Sequence, residues 1–122
     1  MAVLLVFLGG AVGAPLRYLV DRAVQKRHDS VFPWGTMAVN LTGCLILGAL
    51  TGAAAVDGMP SDVLLLAGTG LCGGLTTFST FGYETVRLLE NGSFAEAGLN
   101  ALGSLFAGLA AAAIGYAAVA AF

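Results

Sequence analysis

Residues 70–81 read GLCGGLTTFSTF (Gly70–Phe81), in the middle of the third apolar segment of the chain. Glycines at 70, 73 and 74 are followed by Thr76 and Thr77, then by Ser79 and Thr80 between Phe78 and Phe81. Glycine is poor in a helix interior. Hydroxyls and freed backbone groups at bilayer depth are costly unless partnered. The stretch lies inside an uncharged run, Val63–Tyr83, of the length that crosses a membrane. It therefore reads as a spanning helix interrupted by design.

Outward from this stretch, the composition gives the class. The 122 residues are 58% hydrophobic and only 10% charged, against about 25% charged in an ordinary soluble domain. Charges gather at Arg17–Asp29, at Asp57 and Asp62, and at Glu84–Glu96. Between them lie Met1–Leu16, Val31–Val56, Val63–Tyr83 and Ala97–Phe122, all uncharged. Each approaches the length that spans about 30 Å of hydrocarbon at about 1.5 Å per residue. Arg17 completes the first by snorkelling. The expected fold is an all-α membrane protein, one domain over residues 1–122. Its four transmembrane helices fall at about 1–20, 33–56, 63–89 and 95–121, with the third broken in mid-membrane. The first segment lacks the basic start of a signal peptide and reads as a retained helix.

Small residues recur on single faces. Gly9-x-x-x-Gly13 and Gly10-x-x-x-Ala14 allow another backbone to approach closely. Gly43, Gly48 and Gly52 follow in the second helix, and faces of this kind predict packing against another copy or a homologue. Asn40 lies about a turn and a half inside that helix. It makes either an interhelical hydrogen bond or a donor facing an aqueous or ion-filled cavity. Asn100 and Ser104 share a face near the start of the fourth helix. Cys44 and Cys72, with no ligand-spaced His or carboxylate, read as small buried hydrophobes. Glu84, near a helix end, reads as solvated at the interface. No nucleophile–base pair, phosphate loop or basic nucleic-acid surface is present.

Unwinding over Gly73–Thr77 would free carbonyls, a ready cage for a hard cation such as Na⁺. Bare glycines there suit a meeting with a counterpart on a two-fold axis. Phe78 and Phe81, three apart, share a face where the helix resumes. An aromatic edge carries partial positive charge, so these rings suit weak coordination of a small anion. Conduction needs that balance between entry and release. Asn40, Ser79 and Thr80 can donate hydrogen bonds as the anion sheds water.

Three motifs in order, GGAVGAPLRY (Gly9–Tyr18), PWGTMAVNLTG (Pro33–Gly43) and GLCGGLTTFSTF, resemble the CrcB/Fluc family of fluoride channels. The resemblance spans essentially the whole chain. It implies an antiparallel dual-topology dimer with two narrow pores, resident in the cell membrane, through which fluoride leaves passively and resistance to fluoride follows. It assigns Asn40, Phe78 and Phe81 to the pore, Ser79, Thr80 and Ser104 to the polar track beside it, and Arg17 to the vestibule. It assigns the backbone carbonyls of Gly73 and Thr76 to a structural Na⁺ at the dimer interface. Asn100 stands where many relatives carry Tyr.

Charge placement adds an expectation of its own. Arg17, Arg22, Lys26, Arg27 and Arg87 all fall on the side shared by loops one and three. Basic residues set orientation, so those loops are expected in the cytoplasm and both termini outside. A chain so biased pairs with an oppositely oriented homologue, as a heterodimer. The competing class is a small four-helix antiparallel exporter of drugs or organic cations. It needs an acidic residue in helix one, and Met1–Leu16 has none.

Overall fold

The computed structural model describes residues 1–28 and 32–121. They form α1 (Ala2–Gln25), α2 (Trp34–Asp57), α3 (61–75), α4 (Ser79–Glu90) and α5 (Phe94–Ala120). Among the described residues, four stretches are long and apolar enough to cross a membrane: α1, α2, Ser61–Glu90 and α5. The third contains the interruption. α3 is itself composite: one α turn at Ser61–Val63, a π-helix at Leu64–Cys72 and one α turn at Gly73–Leu75.

α1 lies along α3, and α2 lies along α5 and also touches α1 and α3. Both long seams are built from glycine. On α1, a Cβ at Gly9 would fall on the Leu66 carbonyl oxygen, and one at Gly13 on the Leu71 carbonyl oxygen. From α3, a Cβ at Gly74 would come within 3.0 Å of Gly10 Cα. On the other seam, Gly48 presses on the Ala112 carbonyl and Gly115 on that of Leu45. With no hydrophobic effect between helices in lipid, such backbone contact is the means of association. The α1 small-residue face, expected to meet another copy, is thus used inside the chain. Gly73 differs, because a Cβ there meets nothing within 4 Å.

α1 runs on to Gln25, beyond the charges expected to mark its end. Gln25 ties its last turn to the start of α2, donating to the Phe32 carbonyl (3.3 Å) and accepting from the Gly35 N–H (3.2 Å). α4 stops at Gly92, whose φ of 78° favours glycine. The Gly92 N–H reaches the Leu89 carbonyl and the Ser93 N–H that of Leu88, which closes the helix end. α5 therefore returns beside α4 after a three-residue loop.

The break differs in place from the expected Gly73–Thr77. Gly73–Leu75 is helical, and the chain leaves the helix at Thr76 (φ −87°, ψ 162°) to resume at Ser79. The glycines do not unwind the helix. They thin it where α1 crosses, and side chains from elsewhere divert the N–H groups that would continue it.

Candidate ion pathway

Asn40 of α2 holds the interruption open. Its Oδ1 accepts from the Thr77 N–H (2.8 Å) and its Nδ2 donates to the Thr77 carbonyl (3.0 Å). Both backbone groups of one buried residue are thus served by one carboxamide. Of the two roles open to Asn40, the interhelical bond is made. The amide also keeps a second N–H, and Asn40 lines the groove described below. Thr77 works in turn as a cap: its Oγ1 accepts from the Thr80 N–H (3.2 Å) at the start of α4 and lies 3.4 Å from Ser79 Oγ.

These bonds have a consequence for two carbonyls. In a continuous helix the Thr77 N–H would bond to the Gly73 carbonyl, and the Thr80 N–H to that of Thr76. Asn40 takes the first and Thr77 Oγ1 takes the second. The Gly73 and Thr76 oxygens therefore lose their helical donors. The Thr76 side chain turns back, donating to the Cys72 carbonyl (2.9 Å). Its methyl occupies the place a Cβ at Gly43 would take, so α2 has glycine there.

Two cavities flank the break. A groove of about 860 Å³ opens between α2, α3 and α5, with Asn40, Gly73, Thr76, Phe78, Phe81 and Ser104 on its walls. The Phe78 and Phe81 rings lie 6.0 Å apart at 42°. Phe78 is 84% exposed in the single chain, a large apolar ring with no cover of its own. On the other side, a cavity of about 170 Å³ is lined by Arg17, Tyr18, Asp21, Thr36 and Thr80. Thr77 lines both and is the wall between them. The sequence-derived site residues thus divide: six share the groove, Arg17 and Thr80 share the smaller cavity, and exposed Ser79 lines neither.

Residues 4–116 match the family model described as CrcB-like protein, Camphor Resistance (CrcB). The chain belongs to this family. It is 62% identical over 109 residues to a protein of Streptomyces avermitilis named fluoride-specific ion channel FluC 1, covering 89% of this chain and 88% of that one. A protein of Frankia casuarinae with the same name is 56% identical over 117 residues, 92% and 91% of the two chains. Another, from Thermobifida fusca, is 50% identical over 119 residues, 98% and 96% of the two chains.

Several polar residues of this CrcB family member escaped the reading of sequence alone. Thr36, buried in α2, donates to Glu84 Oε1 (2.5 Å). Glu84 is therefore bound across helices and only partly exposed, not simply solvated at an interface. Thr77 was visible as a hydroxyl but not as the capped and clamped wall. Asn100 and Thr85 form a further pair. Their partners lie 15 to 48 positions away, and no local spacing marks them.

Proposed function

We propose that this chain is a passive channel that lets fluoride out of the cell, and so confers resistance to fluoride. The observation that carries the reading is the 62% identity, over nearly nine-tenths of the chain, to a protein named as a fluoride-specific channel. The geometry supplies a route. A small anion gathered near Arg17 meets the wall formed by Thr77 and Thr80. It passes beside the free N–H of Asn40 and is then held weakly by the edges of Phe78 and Phe81. Ser104, on the groove wall, is a polar station along the track.

The groove is one half of the site in this reading. The exposed ring of Phe78 and the open face at Gly73 meet a second subunit of opposite orientation, with the helix break at mid-membrane. The Gly73 and Thr76 carbonyls, free of helical donors, then face their counterparts, and four hard oxygens hold a structural Na⁺. The five-to-none distribution of Lys and Arg supports termini on the outside and an opposite subunit that is a homologue rather than a second copy. Expressed alone, the chain should insert in one orientation and lack channel activity. A functional homodimer with both orientations present contradicts the heterodimer.

The proposed activity is tested in cells that lack their own route for fluoride efflux. Co-expression of this chain with its paired homologue should restore growth on fluoride but give no protection against chloride. Growth no better than that of cells with an empty vector overturns the reading.

A further inference from the structure

Asn100 is wholly enclosed, at 0% exposure, where α5 meets α4. Its Nδ2 donates to Thr85 Oγ1 (2.8 Å), and the Thr85 hydroxyl donates to the Phe81 carbonyl (2.8 Å). Its Oδ1 accepts from the Ser104 hydroxyl (3.4 Å). The donors therefore run one way, Ser104 to Asn100 to Thr85 to the backbone at Phe81. Bonds in such a chain polarise one another in a medium of low dielectric constant. Both ends of the chain, Phe81 and Ser104, lie on the groove, while Asn100 and Thr85 do not line it.

We propose that Asn100 is a positioning residue of the ion pathway, acting through Thr85 to set Phe81 and directly to set Ser104. α4 follows an interruption and begins without continuous helical support, so its rotation about its own axis must be fixed from outside. Asn40 and Thr77 fix its first turn. The Asn100–Thr85 bond fixes the next one against α5, and with it the direction in which the Phe81 ring faces. The same carboxamide takes the single proton of the Ser104 hydroxyl, so Ser104 presents lone pairs toward the groove. An anion gains a donor from Ser104 only by displacing Asn100 from the longest bond of the chain. Ser104 thereby discriminates against a weakly bound anion and yields to a strong acceptor.

The inference rests on the channel reading, and its test separates the two. Thr85→Val leaves the buried Asn100 amide without its acceptor, and Asn100→Leu takes the donor from Thr85 and the acceptor from Ser104 while the Thr85 bond to the Phe81 carbonyl stays; each should lower the unfolding midpoint, Thr85→Val the more. The double variant removes both partners with little change of shape and should recover the midpoint. Reconstituted with the paired homologue, it should still release fluoride from liposomes about tenfold more slowly than wild type, whereas Thr85→Ser, which keeps the hydroxyl, releases it at the wild-type rate. A recovered midpoint with a wild-type rate assigns the network to stability alone and overturns the proposal. 4-Fluorophenylalanine placed at 81 gives a reading that needs no conduction: its ¹⁹F resonance should shift between wild type and the double variant. An unmoved resonance overturns the proposal even if wild type proves not to conduct, and liposomes that hold wild type with its paired homologue and retain fluoride overturn the channel reading by themselves. Should the double variant fail to fold, the same readings on Thr85→Ser against Thr85→Val decide the matter.

Discussion

Asn40→Leu is expected to lower the stability of the folded chain by about 2–4 kcal/mol and to stop fluoride efflux. The leucine fills the volume but serves neither Thr77 group, and each orphaned buried backbone group costs about 1–3 kcal/mol. The Thr77 N–H then has one ready partner, the Gly73 carbonyl that Asn40 now denies it. The third span should close toward a continuous helix, carrying Phe78 and the hydroxyls out of the groove. Asn40→Asp sharpens the test. Its carboxylate can still accept from the Thr77 N–H, but it sets an oxygen against the Thr77 carbonyl that Nδ2 now serves. Efflux should fall steeply in this variant too. Stability is read by thermal unfolding in detergent and conduction by efflux from liposomes that also hold the paired homologue. A stable Asn40→Leu protein with wild-type efflux would show that the clamp is dispensable.

Gly9→Val has the larger consequence for folding. A Cβ at Gly9 overlaps the Leu66 carbonyl oxygen and comes within 2.6 Å of the Leu71 nitrogen and 2.8 Å of Gly70 Cα. All three nearest atoms are backbone, so no turn of a side chain relieves the overlap. The overlap costs about 3 kcal/mol or more, and α1 must leave α3. The variant should give little monodisperse protein in detergent. Gly98→Val is the control, because a Cβ at Gly98 meets nothing within 4 Å. Its yield should equal that of wild type, and equal yields from both variants would contradict the packing described for α1.

These two residues also mark how far the sequence could be read. Gaps between charges gave four apolar spans, and α1, α2, Ser61–Glu90 and α5 occupy them. Gly70–Phe81 was legible as an interruption because its composition contradicts its place in an apolar run. Its mechanism was not legible. Glycine is a poor helix former, so unwinding was expected at Gly73 and Gly74, yet Gly74 serves contact with Gly10. The helix ends at Thr76–Phe78 because Asn40, 37 residues earlier, takes the Thr77 N–H. A one-dimensional pattern carries helix faces and punctuation. It does not carry which distant amide will outcompete the helical ladder. For the same reason Asn40 stood open between two roles, Glu84 read as solvated although Thr36 binds it, and the π-helix at Leu64–Cys72 left no mark in the spacing.

Selective passage of fluoride is read by ion release from sealed liposomes. The purified chain, reconstituted together with its paired homologue, is sealed into liposomes loaded with equal fluoride and chloride, and release of each ion is followed by selective electrodes after a potassium ionophore sets the membrane potential. Rapid loss of fluoride with chloride retained is the predicted result. Equal release of both ions, or retention of both by well-folded protein, would contradict the account.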